Sequence, residues 1–533
     1  MRVRGRIPIP TLSAARPTSP LGDDISSGGP ISRERFAVLW SDDAGLRALA
    51  KAKRAPLDAR LGEAMRAYHR RLGASPESLD SLERLVRGDA VVAVAGQQPA
   101  PLGGPLYALH KTACAVGLAA EIGARTGVPA VPMFWMHGED SDFAEIRTAT
   151  IADATLALHD LELPASAHRE GGLIGAVPLA PLAELEAAAL RHWAPFPGHA
   201  DAARLLERAS THARDLGEAY SALLLALFAD QGLVVIDPRL PEFRAAARPI
   251  IDRYLSDADR LQAAARAAGD RLEAMSGQRP LGGPALDSFV FRIEDGTRHK
   301  ATPDEARALG ARAELTPSVA LRPVVQDGVF PTVAMACGAA EASYLAQLRE
   351  VFEGLGVRPA CPVPRLSVTW LPASGIELLE ASGARIEELV FESDAVLRRL
   401  ADHQVPADLR SALERGREAS RGALERLADA ARAVDSSLPQ MIESARGKID
   451  YQFERLREGV AGKVRHRLEQ GHPEWPRLRY YVSPGDKLQE RRIASLEPVA
   501  RRGAGVVADL CRIAGDHARS LASGGFDHWV LEP

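Results

Sequence analysis

The chain has 533 residues, of which 46% are hydrophobic, and its 66 basic and 70 acidic side chains give a net charge of −4. This length predicts about three domains, and the composition excludes a disordered chain. The near balance of charge offers no general attraction for nucleic acid, and no apolar run is long enough to span a membrane. Four scattered cysteines without CxxC or zinc spacing predict buried thiols in a protein of the reducing cytoplasm.

The first region, residues 1–90, contains two kinds of segment. The prolines and glycines of residues 1–30 predict an extended arm that lies on the surface. From Arg33 to Arg87, helical periodicity returns in short pieces, which predicts helices that cover one face of a sheet.

The strongest structural signal follows this region. Val91 to Ala95 is a short apolar run rich in valine, typical of a strand buried on both faces of a parallel sheet. A loop rich in glycine and proline then places Gln97 and Gln98 at the carboxyl end of this strand. Apolar positions at helical spacing run from Leu106 to Ala120, and Ala130 to Met136 predicts a second buried strand.

A strand, helix, strand connection of this kind is right-handed, so both strand ends and the start of the helix meet at one edge of the sheet. Open α/β sheets bind their ligands at that edge. Tyr107, His110 and Lys111 lie in the first turns of the helix. Backbone NH groups after Gly103 and Gly104 either hold an anion there or belong to a tightly packed turn, and both alternatives remain open.

A dense acidic cluster follows the second strand. Glu139, Asp140 and Asp142 are the candidate catalytic carboxylates, and Glu145 lies one helical turn further on. So many carboxylates directly after a buried strand favour a functional site over a solvated surface. They would hold a metal ion or accept a proton, and the second role requires a pKa raised by crowding of like charges.

The second half of the core begins near Leu315 and contributes further polar side chains. Two of them, Arg322 and Arg365, are suited to bind a carboxylate or phosphate through their forked donors. The alternative is a structural ion pair with Asp327 or Glu341, and both alternatives remain open. The candidate substrate-binding residues of this half are Arg322, Gln326, Asp327, Tyr344 and Arg365.

Three further segments complete the organisation. Alternating residues from Thr148 to Leu179 predict short strands of an inserted module that extends to about residue 230 and continues with one helix over roughly 182–191 and another over 202–228. Apolar positions spaced by three and four over 407–438 and 440–470 predict two long antiparallel helices divided by Pro439. A second copy of the chain is expected to cover this hairpin, because one core is too small to do so. Residues 472–482 are predicted to form a proline- and aromatic-rich return. The last segment is predicted to be helical, with final apolar residues that dock on the core and with Lys487 and Arg491 either contacting phosphates or forming ion pairs.

Five motifs, in order along nearly the whole chain, resemble those of the BshC family, the cysteine-adding enzymes of bacillithiol biosynthesis. The resemblance implies a synthetase-type Rossmann core, a small inserted connective domain, a helical hairpin that pairs in a homodimer, and ligation of cysteine to glucosaminyl-malate. Ser141 stands where the family has a histidine, and His137 is the histidine nearby. The motifs are GQQ (96–98), GGPLYALHK (103–111), PMFWMHGEDSDFAEI (132–146), LRPVVQD (321–327) and PGDKLQER (484–491).

We therefore predict an α/β protein with a Rossmann-like core over 91–380, an inserted module over about 148–230, a coiled-coil hairpin over 381–475 and a helical segment over 476–533. The predicted activity is amide ligation with ATP as the energy source, without a nucleic-acid or membrane partner. The alternatives are a synthetase that activates another amino acid, and a nucleotide-binding dimeric scaffold without catalysis. The catalytic candidates are His110, Glu139, Asp140 and Asp142, the nucleotide candidates are Gly103, Gly104, Lys111, Lys487 and Arg491, and no metal ligand is assigned.

Overall fold

The computed structural model describes residues 1–8, 20–310, 313–382, 388, 401–402, 404–471 and 474–532. The chain divides into two compact units, residues 1–372 with 486–533, and residues 373–485. The predicted hairpin boundaries, 381 and 475, lie inside the second unit. The predicted inserted module is part of the first unit and does not form a compact unit of its own.

Both kinds of secondary structure occur in the first unit, and the second unit is helical. In chain order, the strands of the described residues are β1 (Arg2–Pro8), β2 (Val91–Gln97), β3 (Ala130–Met136), β4 (Thr148–Ala152), β5 (Leu158–Glu162), β6 (Val234–Ile236), β7 (Val290–Glu294), β8 (Thr297–Lys300), β9 (Glu314–Pro317), β10 (Thr332–Cys337), β11 (Cys361–Pro364), β12 (Ser367–Trp370) and β13 (Asp527–Glu532).

The α-helices of the described residues are α1 (Pro20–Ser27), α2 (Pro30–Arg35), α3 (Asp43–Lys53), α4 (Ala59–Arg71), α5 (Pro76–Arg87), α6 (Leu106–Thr126), α7 (Phe143–Ile146), α8 (Leu179–Trp193), α9 (His199–Thr211), α10 (Leu216–Leu227), α11 (Pro241–Ser256), α12 (Ala258–Ser276), α13 (Pro303–Leu309), α14 (Arg322–Val329), α15 (Ala339–Gln347), α16 (Arg349–Gly354), α17 (Ala373–Ser382), α18 (Ala407–Ala431), α19 (Leu438–Gly471), α20 (Glu474–Val482), α21 (Glu497–Arg502) and α22 (Gly505–Ala522).

The central sheet has five parallel strands in the order β11, β10, β2, β3, β6. Strands β2 and β3 pair without interruption from Val91 opposite Ala130 to Gln97 opposite Met136. Their side chains are almost entirely buried, because helices cover both faces of a parallel sheet. The predicted α/β core and its first βαβ unit are confirmed.

Helix α6 connects β2 to β3 and packs on both strands and on α22. Its tightest contact is at Gly117, where an added Cβ would lie 2.5 Å from the carbonyl carbon of Ala514. The helix ends at Gly127, whose φ of 73° is readily adopted only by a residue without a Cβ. This helix therefore holds the sheet and the C-terminal helix together.

Both ends of the chain differ from the predictions. Strand β1 and helix α1 stand where an extended surface arm was predicted, although residues 9–19 of that arm lie outside the described residues. Strand β13 stands where the last apolar residues were predicted only to dock on the core. It pairs antiparallel with β1 and parallel with β12. No local pattern announces such pairing, because the partners lie far apart in the chain.

One other segment is divided differently from the prediction. The segment over 202–228, predicted as one helix, is two helices, α9 and α10. The inserted module begins with the antiparallel pair β4 and β5, as predicted, and continues in helices α8 to α10.

In the second unit, helices α18 and α19 pack against each other as the predicted hairpin. Pro439 does not divide them, since α18 ends at Ala431 and Pro439 lies in the first turn of α19. Proline is tolerated there because the first NH groups of a helix have no partner within it. Helix α20 replaces the predicted irregular return, whose first residues, 472 and 473, lie outside the described residues.

Among the described residues, no helix is long and apolar enough to cross a membrane, and no group of three His, Cys, Asp or Glu side chains could hold a metal ion. All four cysteines are buried and free of disulfide bonds, as predicted for buried thiols.

Candidate active site

A cleft of about 480 Å³ opens at the carboxyl edge of the central sheet. Strands β11, β10, β2 and β3 are neighbours and end together there, so residues at or just after each strand end meet. The cleft lies where the sequence analysis placed the site. The residues that these strand ends contribute are Gln97, Gln98, His137, Asp140, Cys337, Gly338, Pro364 and Arg365.

One wall of the cleft comes from α1, near the start of the chain. Gly22, Asp23, Ile25 and Ser26 line it. The helix is held in place because Leu21 and Ile25 are buried in the core. The segment predicted as a surface arm thus contributes to the candidate site, which its composition did not indicate.

Two glutamine side chains connect the polar groups of the cleft. The Gln98 side-chain NH2 donates to Asp140 and Glu145, at 3.0 Å each. The Gln97 NH2 donates to the Tyr107 hydroxyl at 3.0 Å. An amide that donates to two carboxylates fixes their oxygen atoms and leaves each one able to accept further hydrogen bonds.

Asp140 is the most highly connected carboxylate of the acidic cluster. It also accepts a hydrogen bond from the Ser141 NH at 2.7 Å and lies 3.5 Å from the Arg298 guanidinium. Arg298 belongs to β8 and was not among the predicted residues. The two residues lie 158 positions apart, so no local motif connects them.

His137 provides the imidazole of the cleft. Burial, and then the positive charges of Arg322, Lys111 and Arg298, hold the pKa of His137 well below its usual value. The imidazole is therefore neutral at physiological pH. Ser141, at the position where the resemblance implied a histidine, does not line the cleft.

Two cations of the cleft already have carboxylate partners. Lys111 lies 2.5 Å from Glu341 and donates to the Gly96 carbonyl at 3.1 Å. Arg365 lies 2.5 Å from Glu490 and donates to the Leu366 carbonyl at 3.0 Å. Arg365 therefore forms a structural ion pair, but its partner is Glu490 and neither of the two predicted carboxylates, Asp327 and Glu341.

Two other cations of the cleft have no ion pair with any described residue, namely Arg322 and Arg491. Arg322 lies beside the hydroxyl of Tyr344, whose pKa burial raises strongly. Arg491 is exposed at the cleft. These two guanidinium groups are the ones left to bind an anionic ligand.

His110, predicted to be catalytic, does not line the cleft. Its side chain is completely buried and is hydrogen-bonded to Trp370 and Glu490. Burial lowers its pKa against the opposing effect of Glu490. Because the ring lies beneath the surface of the cleft, it cannot reach a reacting atom there.

Glu139 and Asp142, also predicted to be catalytic, lie outside the cleft. Glu139 is buried 3.0 Å from Arg244, and burial raises its pKa to about 7. Its raised pKa thus comes chiefly from desolvation, and the like charge of Asp237 contributes less. Asp142 is exposed and accepts a hydrogen bond from the Glu145 NH at the start of α7.

Gly103 and Gly104 pack tightly and do not line the cleft. Their φ values are 81° and 70°, in the left-handed region. The Gly104 NH donates to the Pro101 carbonyl, and the Gly104 carbonyl accepts from the Ser495 NH. A Cβ on Gly103 would lie 3.0 Å from the Ser495 side chain. The loop therefore does not fit a phosphate group, and the packing alternative holds.

Three other candidates lie away from the cleft. Helix α14 starts with Arg322 at the cleft and runs toward the amino end of β10, which carries Gln326 and Asp327 away. Asp327 accepts a hydrogen bond from the Ala360 NH at 2.6 Å and lies 3.9 Å from Lys53. Lys487 is exposed and does not line the cleft.

The structure thus separates the predicted residues into two groups. The cleft brings together Gln97, Gln98, Tyr107, Lys111, Asp140, Arg322, Tyr344, Arg365 and Arg491. It does not include Gly103, Gly104, His110, Glu139, Asp142, Gln326, Asp327 and Lys487.

A parallel sheet with a polar cleft at its carboxyl edge, in a chain that also carries a helical hairpin, defines a Rossmann-like α/β protein with a coiled-coil domain. Residues 18–366 match the family described as "Bacillithiol biosynthesis BshC, N-terminal Rossmann-like domain". Residues 368–518 match "Bacillithiol biosynthesis BshC, C-terminal coiled-coil domain". The chain belongs to the BshC family of bacillithiol biosynthesis.

Relatives from several bacteria align with most of the chain. One from Koribacter versatilis is 30% identical over 477 residues, covering 86% of this chain and 88% of its own. One from Solibacter usitatus is 30% identical, covering 80% and 83%, and one from Salinibacter ruber is 26% identical, covering 95% and 97%. Each is named "Putative cysteine ligase BshC". The resemblance seen in the five motifs is confirmed.

Proposed function

We propose that this chain joins the carboxyl group of L-cysteine to the amine of glucosaminyl-malate, forming an amide bond. Membership of the BshC family and the name of its relatives support a ligase of bacillithiol biosynthesis. The specific acceptor and the bond type are part of the proposal.

The observation that carries the proposal is the division of charge within one cleft. Arg322 and Arg491 have no ion pair among the described residues, and together with Arg365, which also lines the cleft, they suit the two carboxylates of a malyl group. Asp140 and Glu145, which Gln98 holds together, suit an ammonium group. An acceptor that carries both an amine and a dicarboxylate matches this arrangement.

Formation of the amide requires the attacking ammonium to lose a proton. Asp140 lines the cleft and is the group that we assign to accept it, whereas the lowered pKa of His137 disfavours a protonated imidazole there. Arg298 and Gln98 hold Asp140 in place for this role. A positioned base of this kind contributes a rate factor of about 10²–10⁴.

The bond does not form spontaneously in water, because condensing a carboxylate with an ammonium is energetically uphill. ATP is therefore proposed as the co-substrate that activates the cysteine carboxylate. Because the loop of Gly103 and Gly104 does not fit a phosphate, we assign no residue of that loop to the nucleotide.

Purified protein incubated with cysteine, glucosaminyl-malate and ATP tests the proposal, with the product followed by mass spectrometry. We expect a product whose mass equals both substrates minus one water, and no product when ATP is omitted. Serine in place of cysteine tests the choice of thiol. A folded protein that forms no product with any nucleoside triphosphate would favour the scaffold without catalysis.

We also propose that two copies associate through the hairpin of α18 and α19. Large apolar side chains of this unit are more than half exposed, a pattern typical of an interface. They include Leu427 (54% exposed), Val434 (80%), Met441 (64%) and Leu456 (56%).

A further inference from the structure

We propose that His110 is a positioning residue: fixed in one tautomer by Trp370, it holds Glu490, and Glu490 holds the Arg365 guanidinium at the cleft. The inference rests on the proposed function only for the identity of the ligand that Arg365 meets. The contacts themselves are independent of the reaction.

The tautomer of His110 follows from the donors around it. The Trp370 indole NH lies 3.0 Å from Nε2 of His110. An indole NH can only donate, so Nε2 accepts and carries no proton. The ring proton of the neutral imidazole therefore lies on Nδ1, which is 3.2 Å from Oε2 of Glu490 and donates to it.

Glu490 is a completely buried carboxylate that receives four donors. Oε2 accepts from His110 and from the Val368 NH at 3.1 Å, and Oε1 accepts from Arg365 at 2.5 Å and from the Ser367 hydroxyl at 3.2 Å. Burial raises the pKa of Glu490, but Arg365 and His110 outweigh it and hold the pKa well below its usual value. The carboxylate is therefore charged, and the loss of any donor is costly.

Arg365 is the end of this chain of contacts that reaches the cleft. One terminal nitrogen is bound to Glu490 and the other to the Leu366 carbonyl, and the guanidinium carbon lies 5.5 Å from the centre of the Tyr107 ring. Its Nε has no acceptor among the described residues and remains for a ligand. Because both terminal nitrogens are fixed, the direction of Nε is fixed as well.

The network joins segments that are remote in the chain, since His110 and Glu490 lie 380 positions apart. The alternative role of such a buried polar network is purely structural, namely to specify the fold. The two roles predict different results when the donor at Nδ1 is removed. A purely structural role predicts a loss of stability alone, whereas a positioning role also predicts weaker ligand binding in the protein that remains folded.

Two substitutions at His110 separate the roles. His110→Asn retains a side-chain donor near the Nδ1 position, whereas His110→Leu removes it. His69→Leu is the matched control, because His69 is equally buried with both ring nitrogens bonded, to the Met65 carbonyl (2.7 Å) and the Val235 NH (3.0 Å), and lies outside the cleft.

Binding of L-malate is measured by calorimetry on the full chain, with thermal unfolding measured beside it. We expect His110→Leu to weaken malate binding at least tenfold, His110→Asn to stay within about threefold of the parent, and His69→Leu to bind like the parent despite a comparable loss of stability. A folded His110→Leu variant that binds malate as tightly as the parent would overturn the proposal. So would an equal loss of affinity in His69→Leu.

A second measurement does not depend on the ligand. Nitrogen-15 NMR should show His110 as a neutral ring protonated on Nδ1, and an ordered Arg365 Nε–H that becomes disordered in His110→Leu but not in His110→Asn. A ring protonated on Nε2, or an Arg365 unaffected in His110→Leu, contradicts the positioning role. A parent protein that binds no malate but shows both NMR signatures would contradict the proposed function alone.

Discussion

The cations of the cleft fall into two groups, those that form an ion pair within the protein and those that do not. Lys111 and Arg365 form ion pairs with Glu341 and Glu490, and these carboxylates neutralise part of their positive charge. Arg322 and Arg491 have no such partner in the described part of the chain. A carboxylate ligand should therefore depend on them most strongly.

Replacing Arg322 with alanine should weaken binding of the acceptor. Charge-assisted hydrogen bonds contribute about 1.5–3 kcal/mol, so we expect the KM for glucosaminyl-malate to rise about 10- to 100-fold while the KM for cysteine changes less. Arg253→Ala is the control, because Arg253 is exposed and lies outside the cleft. Equal KM values for parent and Arg322→Ala would remove this arginine from substrate binding.

Asp140 and Asp142 form a matched pair two positions apart. Asp140→Asn should lower kcat by about 10²–10⁴, because the amide cannot accept the proton of the attacking ammonium. Asp142→Asn should leave kcat unchanged, since Asp142 is exposed and asparagine also caps a helix. Steady-state kinetics of both variants checks this, and an unaffected Asp140→Asn variant would make the acidic edge structural.

The sequence predicted the cleft residues that directly follow buried strands, such as Gln98 and Asp140, because parallel strand ends must meet at one edge. It did not predict Arg298 or Glu490, whose contacts with Asp140 and His110 span 158 and 380 positions. Local motifs contain no information about such separations. The burial of His110 was missed for the same reason.

At the scale of elements, the contact between α6 and α22 sets a strict limit on side-chain size. An added Cβ at Gly117 would lie 2.5 Å from backbone atoms of Ala514. A Cβ added at Gly123, in the same helix, would meet no neighbouring element within 4 Å. Backbone atoms cannot move aside as a flexible side chain can, so the two glycines should respond oppositely to the same substitution.

Gly117→Ala should lower the free energy of unfolding by about 1–3 kcal/mol through overpacking. Gly123→Ala should raise it by about 0.5–1 kcal/mol, because alanine favours a helix interior. Denaturant unfolding of both variants provides the measurement. Equal effects would show that α6 and α22 can separate without cost.

His69 connects α4 to β6, because its Nε2 accepts a hydrogen bond from the Val235 NH. Burial lowers the pKa of His69 to about 4 from a usual value of 6.5. The unfolded chain therefore binds a proton between pH 6.5 and pH 4 that the folded chain does not. The contribution of neutral His69 to the free energy of unfolding is complete above pH 6.5, and it is lost as the pH falls toward 4.

Relative to His69→Gln, the parent protein should lose about 3 kcal/mol of stability between pH 7 and pH 4. Glutamine can accept the Val235 NH bond but does not titrate, which makes it the reference. Unfolding curves across this pH range give the difference. A difference that does not change with pH would mean that His69 titrates alike in the folded and unfolded chains.

Prediction of elements succeeded where the pattern was local. Strands β2 and β3 lie where two buried apolar runs indicated them. It failed at β1 and β13, because β1 becomes a strand only by pairing with β13, and β13 by pairing with β1 and β12. It also misplaced the end of α18, since proline is accepted in the first turn of α19.

For the whole molecule, the predicted homodimer depends on the exposed apolar side chains of the second unit. Leu427→Lys combined with Leu456→Lys should convert a dimer into a monomer in sedimentation experiments, because burying two ammonium groups opposes association. Leu309→Lys, at a 46% exposed leucine of the first unit, is the control. A chain lacking residues 407–470 that still sediments as a dimer would place the interface elsewhere.

Strand β1 cannot complete its folding until β13 has been synthesised, because the two strands pair with each other. Arg4 and Glu532, which form an ion pair across these strands, are separated by 528 positions. At about 5–20 residues per second, the first strand leaves the ribosome on the order of a minute before its partner exists. During that interval residues 2–8 lack the strand with which they pair, and their backbone groups are open to other partners. Since Phe526, just before β13, lines the cleft, the candidate site is completed only after this segment has been synthesised.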